Sequence, residues 1–440
     1  MRSGWSTGFA AALALAGYAY PGSPPALGPI TQPAPGGGAG ATFTAPMATT
    51  TARTPVTILV SIDGFRPDYL DRGVTPTLSA LRRGGVFAAM RPSFPSITFP
   101  NHWTLVTGLR PDRSGIVGNV MEDARRPGET FTMQTDDPFW WNDAEPIWVT
   151  AERAGIRSAT MFWPGANVAF GGVKSGTGHA GVTGGVRPED WQQFNQAVSG
   201  GQRVDAVIDW LRRPAATRPR FVTLYFDTVD SAGHANGPDD AKTTAAVADV
   251  DAAIARLRAG LADLEQGANL VIVADHGMAS TSDTRTIPLA TLADPATMRA
   301  IETGPYASIV PLPGHEAAVD AALLAPHPHV TCWRKAQIPA RLRYGGNARI
   351  PPYLCLAETG WLIVKAAPAK PFAGGAHGYD NDAREMRAVF IANGPAFIAG
   401  KTLPTFDNVD VAPLLRDLLG LPAGRALDGD DRPFRPVSRR

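Results

Sequence analysis

A chain of 440 residues, 44% hydrophobic and 18% charged, is long enough for a large core and lies outside the composition of disordered proteins. Its formal charge of +1, with no basic run interleaved with aromatics, argues against a nucleic-acid scaffold. Length alone allows two or three domains.

The first segment is set apart. Arg2 precedes a short apolar stretch, residues 8–17, and the small residues Gly17 and Ala19 close it. About ten apolar residues cannot span a bilayer, which needs about twenty, so no membrane span is expected here. The order charged, apolar, small reads as a secretory signal peptide over residues 1–20, and predicts export to a periplasm or the outside. A low-complexity tail is the alternative. No Cys lies near residue 20 to carry a lipid anchor. Residues 21–54 are rich in Pro, Gly, Ala and Thr and read as a flexible linker. The folded part is therefore expected over 55–440.

From there strand and helix signals alternate. The run Thr57-Ile-Leu-Val-Ser-Ile ends at Asp63. Residues 76–83 read as a helix with Thr75 as its cap, Pro76 at its first position and Gly84 as its stop. The segment after Pro100 can begin another helix. Val204–Arg212 reads as a short helix feeding the strand Phe221-Val-Thr-Leu-Tyr-Phe, after which come Asp230 and His234. A long Ala-rich helix over 241–264 leads through Gly267 into Leu270-Val-Ile-Val-Ala, which ends in Asp275 and His276. Between about 282 and 370 the rhythm weakens among Pro-rich pieces, which predicts an inserted lobe. The run 386–392 returns to the main sheet, and Val411 to Leu419 reads as a last helix ended by Gly420. The alternation predicts an α/β domain with a mostly parallel central sheet flanked by helices. Cys332 and Cys355 are the two cysteines; they pair if the chain is exported and are otherwise buried thiols.

Three β-branched, apolar runs thus finish in Asp or His, and open α/β sheets place their chemistry at the carboxyl ends of strands. Gly374-Gly-Ala-His377 adds a fourth piece. Asp63, Asp230, Asp275, His234, His276 and His377 suit two divalent metal sites, with zinc favoured by His nitrogen and Asp oxygen. Three converging carboxylates would repel one another, and two ions remove that problem. Four positive charges would balance three Asp and one ionised nucleophile. The nucleophile candidate is Thr98, where a helix N-terminus would favour anionic charge. Asn119 is a neutral donor to a phosphate oxygen. Taken singly, each of these residues also reads as a cap, a turn residue or a hydrogen-bonded core residue. Of the other histidines, His315, His327 and His329 read as lobe or solvated residues.

At Ser61-Ile-Asp-Gly-Phe-Arg, Thr98-Phe-Pro-Asn-His, Thr107-Gly-Leu-Arg-Pro, Phe162-Trp-Pro-Gly, Asp230-Ser-Ala-Gly-His, Ala274-Asp-His-Gly-Met and Gly375-Ala-His-Gly-Tyr-Asp-Asn, the chain resembles the nucleotide pyrophosphatase/phosphodiesterase family of the alkaline phosphatase superfamily. The resemblance spans about residues 56–420 and fits compact bacterial members. It implies an alkaline-phosphatase-like fold and two zinc ions. One would be held by Asp230, His234 and His377, the other by Asp63, Asp275, His276 and Thr98. It implies in-line attack by Thr98, a phospho-threonine intermediate cleaved by water, and release of nucleoside monophosphates. Asn119 matches the phosphate-oxygen donor; Phe99 and Tyr225 match substrate-pocket positions, with core packing as the plain alternative for both. The sequence departs from the family at Asp227 and Val229, where Glu and Pro are usual, and at Ile97, where animal members have Lys. Residues 171–185 are too Gly-rich to align.

The expected partner is a small phosphodiester, a nucleotide above all. Within the superfamily the alternatives are a phosphomonoesterase, a phosphonoacetate hydrolase and a lipid-headgroup phosphodiesterase. A non-catalytic metal-binding protein is the alternative of another class.

Overall fold

Continuous apolar runs become the centre of an eight-stranded sheet. In spatial order its strands are Lys401–Thr402, Val86–Met90, Ala388–Asn393, Ala268–Val273, Val56–Ile62, Phe221–Phe226, Ser158–Met161 and Asp190–Trp191. Only Ala388–Asn393 runs antiparallel to its neighbours. All seven residues of Val56–Ile62 and all six of Phe221–Phe226 are buried, as expected where both faces are covered. The computed structural model describes residues 53–175, 181–422 and 426–439. The signal-peptide expectation, and all but the last two residues of the linker, lie outside these. Among the described residues no helix is long and apolar enough to cross a membrane.

The helices flank the sheet in two packed groups. Pro76–Arg83, Gly200–Arg212 and Thr228–Asn236 all pack on the long helix Ala241–Asp263. Thr98–Thr107, Ile147–Arg153 and Val411–Leu419 pack on one another. The helix 76–83 has the expected bounds but not the expected cap. Thr75 makes no capping bond; its hydroxyl donates to Leu70 O instead. Asp251, buried on the long helix, accepts the N–H groups of Thr77 (3.1 Å) and Leu78 (2.7 Å). A carboxylate from 174 residues away thus satisfies the free donors and complements the helix dipole. The helix expected from Val204 starts four residues earlier, because Ser199 and Gln202 form a capping box.

Residues within 282–370 form a second, antiparallel sheet of Met298–Glu302, Tyr306–Pro311, Tyr353–Ala357 and Val330–Arg334. Helix Glu316–Leu323 packs on it around Ala307, Ile309, Val319, Leu323 and Cys355, a core cluster separate from that of the main sheet. Cys332 and Cys355 are register partners on neighbouring strands and are joined as a disulfide. Closing a 23-residue separation stabilises this lobe by about 3 kcal/mol.

Candidate active site

Strands Val56–Ile62 and Ala268–Val273 are parallel neighbours, with Ser61 opposite Val273. Their next residues therefore emerge side by side. Asp63, Asp275 and His276 are buried, and the turn closes where Gly64 N–H donates to Asp275 Oδ1 at 3.3 Å. His276 Nε2 lies 2.9 Å from Asp275 Oδ2, 3.4 Å from Asp63 Oδ1 and 3.3 Å from Thr98 Oγ1. Thr98 is the first residue of its helix, so its hydroxyl sits at a helix N-terminus.

A second group stands beside the first. Asp230 and His234 are four apart on helix Thr228–Asn236, which puts both on one face. His377 follows the short strand Ala373–Ala376. Asp230 Oδ1 is 3.5 Å from His234 Nε2 and from His377 Nε2, and the two nitrogens are 3.0 Å apart. The rings of His276 and His377 stack at 3.5 Å and join the groups. Gly374 and Gly375 make this closeness possible. A Cβ at Gly374 would lie 2.5 Å from His234 O, and one at Gly375 2.6 Å from Gly233 O.

These groups fit divalent cations by the chemistry of their donors. Each histidine hands Nδ1 to a backbone carbonyl: His234 to Gly375 O, His276 to Gly277 O, His377 to Ser96 O. Those bonds put the proton on Nδ1 and leave Nε2 as a bare lone pair facing inward. Asp63 Oδ1, Asp230 Oδ1 and Asp275 Oδ2 are buried with no hydrogen-bond donor. Two lone pairs facing at 3.0 Å and three undonated carboxylate oxygens call for positive charge. Burial pushes the Asp63 carboxyl well up, and Asp275 and Asp230 push it further. Burial also raises Asp230. For Asp275 burial acts the same way, but positive charge at the His276 and His102 positions would outweigh it and hold the carboxyl low. Burial drives His377 well down, with His276 and His234 adding to the effect.

A cavity of about 450 Å³ opens over both groups and is lined by Thr98, Phe99, Asn119 and Tyr225 among others. Asn119 Oδ1 accepts the Phe99 N–H at 3.0 Å, which turns the Asn119 amide nitrogen to the other side. Phe99 packs against Trp141 and Phe131. The Tyr225 hydroxyl donates to Asp63 Oδ2 at 2.7 Å, so this residue braces a candidate ligand as well as lining the cavity. All the expected site residues are thus brought to one place.

Sequence reasoning passed over several neighbours. His102 is fully buried one helical turn after Thr98. Its Nδ1 lies 2.9 Å from Thr98 O and 3.3 Å from Asp275 Oδ2, and its Nε2 2.8 Å from Ser61 Oγ. The four-residue spacing from Thr98 was the available signal. Phe194, 45% exposed, lines the cavity and packs on Tyr225 and Phe162. Asp227, which the sequence marks as a departure from the family pattern, meets buried Arg203 at 2.8 Å and Gln196 at 3.1 Å. Arg203 also donates to Tyr225 O and Val198 O. This network holds the segment carrying Phe194 against the strand end that leads to Asp230.

Residues 57–380 match the family described as type I phosphodiesterase / nucleotide pyrophosphatase. The chain is 36% identical over 376 residues to a bis(5'-adenosyl)-triphosphatase of Xenopus laevis, covering 84% of this chain and 79% of that one. It is 34% identical to ectonucleotide pyrophosphatase/phosphodiesterase family member 1 of Rattus norvegicus, over 86% of this chain and 42% of the longer rat protein. Among solved structures it is similar to human ectonucleotide pyrophosphatase / phosphodiesterase 5, with a TM-score of 0.81 and 32% identity over 88% of this chain and all of that one. It is equally similar to an inactive variant of the murine counterpart in complex with AMP, with a TM-score of 0.80 and 33% identity over 88% of this chain and 100% of that one. These relatives are eukaryotic; the match is to the family and does not extend to a bacterial origin. With these residues, this sheet and this extent of likeness, the chain belongs to the type I phosphodiesterase / nucleotide pyrophosphatase family, a family of hydrolases.

Proposed function

We propose that this chain is a two-zinc phosphodiesterase that cleaves phosphodiester or pyrophosphate bonds of nucleotides through a phospho-threonine and releases nucleoside monophosphates. The observation that carries the reading is Thr98 Oγ1, at a helix N-terminus and 3.3 Å from the bare Nε2 of His276, open to the cavity. Asp230, His234 and His377 would hold one ion; Asp63, Asp275, His276 and Thr98 would hold the other. When bound, the ions would polarise the phosphoryl oxygens and lower the pKa of the threonine hydroxyl and of water.

The chain's own residues supply the rest. Thr98 Oγ, its proton lost to solvent, forms the bond to phosphorus as the bond to the leaving oxygen breaks in line. Asn119 Nδ2 donates to a non-bridging oxygen, its rotamer fixed by the Phe99 N–H. Water then forms the new P–O bond and frees Thr98. Phe99 and Phe194 offer aromatic surface for a base, with Tyr225 bracing Asp63 beneath them. The AMP bound to the murine relative supports a nucleotide in such a cavity. The disulfide and the family's ectoenzymes support export, whether periplasmic or secreted.

The test is kcat/KM of zinc-loaded protein on the p-nitrophenyl ester of thymidine monophosphate, bis(p-nitrophenyl) phosphate and p-nitrophenyl phosphate. The nucleotide diester is expected highest. A higher value on the monoester would move the protein to the phosphomonoesterase alternative.

A further inference from the structure

The segment that carries Asn119 has little regular structure of its own. Between helix Pro111–Ser114 and the two-residue strand Met121–Glu122 it is held largely from the lobe side of the chain. The Tyr344 hydroxyl donates to Val117 O at 2.9 Å, and buried Arg349 donates to Gly115 O at 2.7 Å. Arg299 pairs with Glu122. The centre of the segment meets Glu302, whose carboxylate faces the backbone amides of Asn119 and Val120, which favour its charged form. The approach is close: a Cβ at Gly118 would lie 3.0 Å from Glu302 Oε2.

Glu302 ends the lobe strand Met298–Glu302 at a register shift, with Ala300 opposite Ile309 and Glu302 opposite Ser308. Such bulges re-aim a side chain and are common beside active sites. The Tyr306 hydroxyl donates to the same carboxylate, and the buried Tyr306 ring packs on Phe94. One carboxylate thus ties the lobe sheet to the two peptide groups that set where Asn119 stands.

We propose that Glu302 is a positioning residue for phosphoryl transfer, acting through the backbone of Asn119 to aim its amide at the phosphate oxygen. The inference rests on the phosphodiesterase reading above. Ionised, Glu302 offers two acceptor oxygens to two N–H groups and one hydroxyl; protonated, it must turn one oxygen into a donor, and a backbone N–H loses its partner. Burial pushes this carboxyl up to about 7, against the Tyr306 and backbone hydrogen bonds. The titratable groups facing it are Tyr306 and Tyr344, both held well above the usual tyrosine range by burial, with the Glu302 charge adding to it. As pH falls through neutrality, Asn119 is therefore expected to lose its aim.

The experiment uses the zinc-loaded full chain and the p-nitrophenyl ester of thymidine monophosphate. Glu302→Ala is expected to lower kcat about 10–100-fold with little change in KM. Glu302→Gln, which keeps an acceptor oxygen, is expected to recover part of that loss and to lack the wild-type acid limb near neutrality. In an Asn119→Ala background, Glu302→Ala should cost less than about twofold more, since both act through one group. Arg334→Ala breaks an exposed pair with Asp320 on the same lobe and should leave kcat unchanged. A Glu302→Ala enzyme at the wild-type rate, or one losing as much without Asn119 as with it, would overturn the inference. Should Glu302→Ala fail to fold, a Glu302→Gln enzyme with the wild-type pH profile would overturn it equally. A wild type without diesterase turnover would instead remove the functional reading, and this inference with it.

Discussion

The two candidate ligand groups touch each other yet are built differently. Asp63, Asp275 and His276 follow neighbouring strands at the centre of the sheet and are buried, Asp63 at the floor of the cavity. Asp230, His234 and His377 come from a helix and a short Gly-rich strand, and the His234 side chain is 44% exposed. The inner group is also braced from behind, by the Gly64 N–H on Asp275 and the Tyr225 hydroxyl on Asp63. An ion in the inner place would therefore be rigidly held and slow to leave, and one in the outer place would meet solvent and exchange.

The largest effect expected is at Thr98, beside the inner group. Thr98→Ala should lower kcat by about four to six orders of magnitude while zinc content stays at the wild-type level. Loss of zinc along with turnover would recast Thr98 as chiefly a ligand. The contrast itself is broken most directly by dialysis against a chelator with zinc counted by mass spectrometry. Two steps are expected, the first reversed by added zinc and matched by His234→Ala, which should weaken that site by at least about 100-fold. Asp275→Ala should leave a deficit that added zinc does not restore. A single loss step would erase the distinction between the groups.

Away from both groups, Asp123→Ala should destabilise the fold by about 1–3 kcal/mol in denaturant titration, because the buried Arg349 guanidinium loses its carboxylate at 2.8 Å and keeps only the longer pair with Asp143 at 3.3 Å and its carbonyl acceptors. Asp123 is held below the usual carboxylate range by Arg125 first and, against burial, by Arg349. Its contribution is complete above about pH 4 and is lost as pH falls through the folded value. An acid-unfolding midpoint unmoved in the variant would contradict this. An effect of similar size is expected at the cavity wall. Phe194→Ala should cost about 1–3 kcal/mol in kcat/KM on the nucleotide diester. It should cost little on bis(p-nitrophenyl) phosphate, and equal losses on both would assign Phe194 to packing.

How much of this was legible follows from where each residue gets its position. Asp63, Asp275 and His276 were readable because uninterrupted apolar runs point to buried parallel strands, and such strands deliver their next residues to one edge. Helix 76–83 was readable from Pro76 and Gly84, but its capping group was not, since Asp251 reaches it from another helix. His102 carries no local mark of its role; only the helical register connects it with Thr98. Phe194, Arg203 and Glu302 sit on an irregular segment, a helix and a bulged strand whose approach to the site is a product of tertiary packing. The two cysteines were open between thiols and a disulfide until the register of the lobe sheet set them opposite each other.

The backbone contact between Gly374–Gly375 and the end of the His234 helix has a consequence for how this site can change over time. No side chain can be inserted there without parting the helix from the strand, so the span between His234 and His377 is not a quantity that small mutational steps can tune. New metal preferences in descendants of this chain would have to arise by replacing a ligand's chemistry or a group behind it. The cavity wall, built from exposed side chains such as Met133 and Phe194, is free to drift. Variation in such a lineage should therefore gather at the wall and leave this seam untouched.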